Sequence, residues 1–346
     1  MIEILPTTKT LICIGSGGVG KTTIAASLGT GFANAGKKIL VLTIDPSQRL
    51  AQALGITTDG EIHRVKLASS AKGELWSCVI DHKKTFEWFV RNASGRADIE
   101  GLLRNRLYQQ LSGRLSGSQE FTSLISLFRF VSSGDYDLVI LDTPPSQHTW
   151  SFLRAPEKIA ALFNEGVASW FRQSDVEKKG VFKRILSLGT TQVLRVLETL
   201  TGSLFMKELS AFFQAIQKWQ GPLEQYVMNC HRLLVSAETE FILVTALDSS
   251  RITEAQKLSR EIQKQGYRLT SVIINRIPAW IHSERSAKSA RVIDLIKYYE
   301  SLENDLQGRL NQFKSSLKVY KCLELRQNSE DVNGLQKNFD RISLID

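Results

Sequence analysis

Gly15, Gly20, Lys21 and Thr22 stand at the spacing G-x-x-x-x-G-K-T, inside the stretch GSGGVGKTT (15–23). Glycines tolerate positive φ and close backbone approach, so successive N–H groups can surround an anion. A lysine at this spacing reaches the outer phosphates of a nucleoside triphosphate, and the next hydroxyl suits a hard divalent cation. The chemistry implied is phosphate binding followed by phosphoryl transfer. Gly15, Ser16, Gly17, Gly18, Val19, Gly20, Lys21, Thr22 and Thr23 are the candidate nucleotide contacts.

Two carboxylates fit the same chemistry. Asp142 ends the apolar run YDLVILD (136–142), where a loop of this kind finds the acid for its metal. Asp45 ends KILVLTI (38–44) and precedes Pro46. With Thr22 they form the expected Mg2+ ligands, and with Lys21 the expected catalytic set. Asn275 ends TSVIIN (270–275). Its amide offers a donor and an acceptor, which suits an adenine edge; it equally suits a turn or a helix N-cap.

These residues must be brought together by the elements that carry them. Short β-branched runs occur at 10–14, 38–44, 75–80, 136–142, 240–247 and 270–275. They are largely apolar rather than alternating, as strands buried on both faces are. Helical stretches separate them, among them 254–266 with Gly266 as a C-terminal stop. This alternation predicts an α/β fold with a doubly wound, mostly parallel sheet, whose ligands lie at the carboxyl ends of the strands.

The segment 150–236 breaks the alternation and predicts a helical subdomain inserted into a core made of 1–149 and 237–346. Phe205, Leu209, Phe212, Ile216 and Trp219, preceded by Val193, Leu197 and Leu200, repeat at helical spacing. Leu295, Tyr299, Leu302, Leu306, Leu310, Phe313 and Leu317 do the same near the C-terminus. Both stripes read as core-facing, and part of the first reads alternatively as a groove for an apolar partner.

Composition narrows the class. At 346 residues the chain is long enough for one large α/β unit with an appended subdomain. The formal charge of +9 comes without a run of basic residues, so a specific nucleic-acid partner is not expected. The four cysteines (Cys13, Cys78, Cys230 and Cys322) form no C-x-x-C pair. No basic, apolar leader opens the sequence and no run of about 18 apolar residues interrupts it. The expectation is a cytoplasmic protein, with a membrane-peripheral location as the alternative.

Four motifs in this order, GSGGVGKTT (15–23), TIDPSQRLAQALG (43–55), LDTPPSQHTWSFL (141–153) and VIINR (272–276), resemble the ArsA-like family of P-loop ATPases. That family includes the arsenite-pump ATPase and the ATPase that targets tail-anchored membrane proteins. The resemblance covers nearly the whole chain and implies a P-loop NTPase fold of the SIMIBI type. It implies a dimer that binds ATP and Mg2+ near its interface. It further implies that Asp45 and Asp142 open the two nucleotide-sensing switches. His148 falls on the second switch's histidine, and Asn275 on the adenine-reading asparagine.

Departures from the family pattern carry information. Ser16 stands where the family has a lysine that reaches the partner subunit's nucleotide. A hydroxyl has neither the charge nor the reach. Gln52 stands where the targeting branch has a water-activating aspartate, and PPSQH replaces APTGH in the second switch. Thiolates, which a soft metalloid needs, are absent between Cys78 and Cys230, so arsenite transport is disfavoured. The insertion holds only Met206 and Met228, whereas adaptable client grooves favour methionine.

Three functions remain. One is a dimeric Mg-dependent ATPase that couples its nucleotide state to a partner or client. Another is a weakly hydrolysing regulatory subunit, paired with a lysine-bearing paralogue. The third is a membrane-protein targeting chaperone with an apolar client. A dinucleotide-binding reading of Gly15, Gly17 and Gly20 would take Asp45 as its acid, but it leaves Lys21-Thr22, LDTPPS and VIINR without a purpose.

Overall fold

The computed structural model describes residues 2–44, 51, 53–93, 119–143, 152–153, 225–277, 289–314, 317–324 and 331–345. The apolar runs form the strands β1 (Thr10–Gly15), β2 (Lys38–Thr43), β4 (Glu74–Val79), β5 (Leu138–Asp142), β6 (Thr239–Ala246) and β7 (Leu269–Ile277). Three further strands, β3 (His63–Val65), β8 (Lys318–Leu323) and β9 (Ile342–Leu344), complete a sheet of order β3-β4-β2-β5-β1-β6-β7-β8-β9. All pairs are parallel except the two outermost, β3 with β4 and β8 with β9. β1 and β5 are buried along their whole length, which is why neither alternates in sequence.

The sheet belongs to a first compact unit, 1–81, 126–152 and 232–346. Its central strand β1 lies between β5 and β6, so the chain leaves β1 where the strand order turns back on itself. Such a reversal places ligands at the carboxyl edge. The helix that follows, α1 (Lys21–Asn34), is alanine- and glycine-rich and buried along most of its length. Small residues let it lie close to its neighbours: a Cβ on Gly29 would stand 2.5 Å from Val41 Cγ2.

On its other side α1 meets the helix near the C-terminus, here α6 (Val332–Asp340). Phe339 packs edge-to-face on Phe32 with centroids 5.6 Å apart. Asn338 is buried between them and its Nδ2 donates to Ser27 Oγ over 3.1 Å. The Cys322 thiol of β8 donates to Asn338 Oδ1 over 3.3 Å. The end of the chain is thus packed against the helix that follows the glycine loop.

The remaining helices of this unit are α4 (Ser249–Lys264) and α5 (Ala290–Lys314). Asp248 caps α4 by accepting from Arg251 N over 3.0 Å, and Gly266 at φ 80° ends it as the sequence suggests. The C-terminal apolar stripe falls on α5, with a difference at its start. Leu295 is 48% exposed, while its neighbour Ile296 is buried; Phe313 and Leu317 are buried as expected.

The second compact unit takes 82–125 and 153–231. Its described parts are α2 (His82–Ala93), the first half of α3 (Gln119–Ser133) and a helical stretch over 225–231. Phe86, Phe89, Phe121 and Tyr226 form an edge-to-face aromatic cluster there, and Tyr226 Oη donates to the Ile125 carbonyl over 3.2 Å. The first apolar stripe, Val193 to Trp219, lies outside the described residues, as does most of the expected 150–236 insertion. Among the described residues no helix is long and apolar enough to cross a membrane.

Candidate functional site

The glycine loop sits between β1 and α1, as its motif requires. Gly15 closes β1 at φ 150°, and a Cβ there would stand 2.1 Å from the Val244 carbonyl oxygen of β6. No larger residue fits without moving the central strands. Gly20 is the N-cap of α1 at φ 91°, in the left-handed region. It offers no side-chain cap, and the first turn of α1 holds no acidic residue. The N-terminal N–H groups of this helix are therefore left to an anion from outside the helix.

Lys21 is buried and its Nζ donates to the Ser16 carbonyl over 2.9 Å. The ammonium is thereby folded over the loop it serves. Ser16 is itself only 4% exposed, Val19 is buried, and Gly17, Gly20, Thr22 and Thr23 are half-buried, leaving Gly18 at the surface.

Asp142 ends β5 beside both neighbouring strands, in register with Cys13 of β1 and Thr43 of β2. Its side chain is almost wholly buried. Oδ2 accepts from Thr22 Oγ1 at 2.6 Å and from Thr43 Oγ1 at 3.0 Å. The loop threonine and the strand-terminal carboxylate, 120 residues apart, are thus in direct contact. The donor set is all hydroxyl and carboxylate oxygen. That chemistry fits a hard cation such as Mg2+ and not a soft metal.

Thr43 and Thr143 belong to this site and were not singled out from the sequence. Thr143 donates to the Cys13 carbonyl through Oγ1 (2.7 Å) and through its backbone N–H (3.3 Å). It fixes the chain to β1 just where the motif DTPPS leaves the sheet. The only sequence signal for either residue was its place beside a strand-terminal aspartate. Cys13 lies beneath the loop, where burial pushes its thiol far above its ordinary value, the Asp142 charge adding to the effect. It is a core residue and not a nucleophile.

Asn275 reaches the loop from β7. Its Nδ2 donates to the Val19 carbonyl over 2.9 Å, and its Oδ1 accepts from the following Arg276 N–H over 2.9 Å. Arg276 takes φ 61° directly after it, at a break in the β7–β8 register between Ile274 and Ile277. The structure therefore brings Asn275 onto the phosphate loop itself. Asp45, Gln52 and His148 lie outside the described residues.

Comparison with known proteins agrees with this geometry. The family model described as "Anion-transporting ATPase" matches residues 8–338. An "ATPase ASNA1 homolog 2" from Paramecium tetraurelia is 24% identical over 79% of this chain and 77% of its own length. A protein from Aquifex aeolicus (strain VF5), provisionally named arsenical pump-driving ATPase 1, is 23% identical over 95% of this chain and 76% of its own. An "ATPase get3" from Aspergillus terreus is 30% identical over 41% of each chain. The chain belongs to the anion-transporting ATPase family, whose reaction is ATP hydrolysis.

Proposed function

We propose that the protein is a Mg2+-dependent ATPase that works as a dimer and passes its nucleotide state to a protein partner or client. The observation that carries the metal requirement is the contact of Thr22 with Asp142 at 2.6 Å. Thr22 and Asp142, with Asp45, would hold the ion. Bound Mg2+ would neutralise charge on the transferring phosphate and orient it. The α1 N-terminus and the loop N–H groups bind and orient the phosphates. Lys21 moves from the Ser16 carbonyl to the outer phosphates, where it stabilises the charge that develops. Asn275 holds the loop through the Val19 carbonyl, and the adenine contact is the role that the resemblance gives it.

The second unit, helical where it is described, is the natural carrier of the client. One relative is named for driving an arsenical pump, which is consistent with hydrolysis coupled to a partner. An apolar, tail-anchored client is one version of this reading, while arsenite is disfavoured because the thiolates it needs are missing from 79–229. Met228, exposed in the helical stretch of the second unit, is one candidate contact.

Ser16 supports a second reading. A homodimer of this chain has no lysine to offer across the interface, so a heterodimer with a lysine-bearing paralogue would complete the site. The deciding experiment is steady-state ATP hydrolysis with and without Mg2+, on wild type and Lys21→Ala. Turnover that needs both Mg2+ and Lys21 supports the enzyme reading. Tight ATP binding without turnover supports the regulatory-subunit reading.

A further inference from the structure

We infer that Thr43 is a positioning residue for ATP hydrolysis: its hydroxyl holds the Asp142 carboxylate for the metal and ties together the strands that lead into the two switches. This rests on the metal reading given under Proposed function.

Thr43 and Asp142 are the last paired residues of the β2–β5 ladder. Among the described residues the ladder goes no further. The Thr43 hydroxyl, completely buried, donates to Asp142 Oδ2 over 3.0 Å and supplies a side-chain rung. On its other side, the Thr43 carbonyl accepts from Ile80 N over 3.0 Å, so the residue is anchored to the continuation of β4 as well. Asp45 follows two residues later, and the second-switch motif starts at Asp142 itself.

The two hydroxyls on Oδ2 have different duties. Thr22 is half-buried on α1 and is the hydroxyl that a cation would recruit as a ligand. Thr43 is sealed in the sheet and cannot reach outward. It is the donor that keeps Asp142 in one orientation while Thr22 turns its oxygen to a cation. Groups that orient a ligand in this way commonly contribute ten- to a hundredfold to metal affinity.

The test uses the full chain loaded with ADP and titrated with Mn2+, followed by electron paramagnetic resonance. Thr43→Val keeps the shape and removes the hydroxyl; Thr43→Ser keeps the hydroxyl. Expected is a Mn2+ Kd raised about tenfold in Thr43→Val and restored in Thr43→Ser, with metal-free ADP affinity changed less than twofold in both. The Mg2+ concentration that half-saturates hydrolysis should shift in parallel. If Thr43→Val misfolds, Thr43→Ala serves as the second hydroxyl deletion, checked by its melting curve. Unchanged Mn2+ affinity in a folded deletion variant overturns the inference and leaves the metal reading intact. A wild type that binds no Mn2+ overturns the metal reading itself.

Discussion

The side-chain amide of Asn275 occupies the space a Cβ on Gly20 would need, with Nδ2 2.4 Å from that position, and it donates to the neighbouring Val19 carbonyl over 2.9 Å. Glycine at 20 and asparagine at 275 are thus a matched pair, 255 residues apart in sequence. The asparagine holds the loop whose last glycine makes room for it.

This pairing distinguishes two duties for Asn275. If it clamps the loop, Asn275→Ala weakens ATP, ADP and GDP alike. Leaving the buried Val19 carbonyl without its donor costs the folded loop about 1–3 kcal/mol of stability, so the loop that must receive the phosphates is loosened for every nucleotide. If it reads adenine, the variant loses preference for ADP over GDP instead. Titration with the two fluorescent diphosphates separates these outcomes. Gly20→Ala, which meets both the Asn275 amide and a left-handed backbone, is expected to abolish binding.

A lysine at position 16, where the resemblance to the family implies one, should raise turnover. Lys21 bonds the backbone carbonyl of residue 16, so Ser16→Lys leaves that bond in place. A cation supplied across a dimer interface is worth on the order of 10³–10⁵ in rate in comparable phosphoryl transfers. An increase of at least about tenfold in phosphate release is expected for Ser16→Lys, and none for the control Ser16→Gln. Equal rates in all three proteins would remove the case for a missing charge.

The packing of α6 on α1 makes a stability prediction. A Cβ on Gly31 would stand 2.3 Å from the Phe339 ring. Gly31→Ala must displace that ring, at a cost of about 1–3 kcal/mol. Phe339→Ala leaves a cavity instead and costs about 3–5 kcal/mol. The double variant should cost less than the sum, because both changes act on one contact. Urea midpoints of the three variants check this.

Alkaline pH should act through Cys322. Burial pushes its thiol up to about 12, from an ordinary value of about 9. The unfolded thiol ionises from about pH 9 while the folded one keeps its proton. Its contribution is therefore complete below pH 9 and is lost as pH rises from 9 to 12, by at most about 1.4 kcal/mol per pH unit. The stability difference between wild type and Cys322→Ala, measured by urea unfolding, should be level to pH 8.5 and change only above it.

Much of this was legible in the sequence because the central strands are apolar on both faces and end in distinctive residues. Lys21, Thr22 and Asp142 could be placed from type and spacing alone. β3 and β9, three residues each, are too short to leave a pattern, and β8 carries a lysine at two of its six positions (Lys318 and Lys321). The start of the α5 stripe was misjudged by one position, since Leu295 and Ile296 are equally apolar and only packing decides between them. Thr43 escaped notice because a threonine in a β-branched strand looks like any other; its meaning comes from the residue across the ladder. Asn275 suits an adenine edge, a turn or an N-cap equally by type, and its contact with the Val19 carbonyl comes from a loop 256 residues away that no local pattern shows.

The bare start of α1 reaches beyond catalysis. A helix that starts on glycine and lacks an early acid forgoes a few tenths of a kcal/mol from the cap and about 0.3–1 kcal/mol from the missing charge. A bound phosphate supplies both, so nucleotide contributes to the folding free energy. At a hundredfold excess over Kd the gain is about 2.7 kcal/mol. The lifetime of the protein in a cell therefore follows the supply of the molecule it consumes: when nucleotide is scarce, the idle copies are also the ones that unfold first.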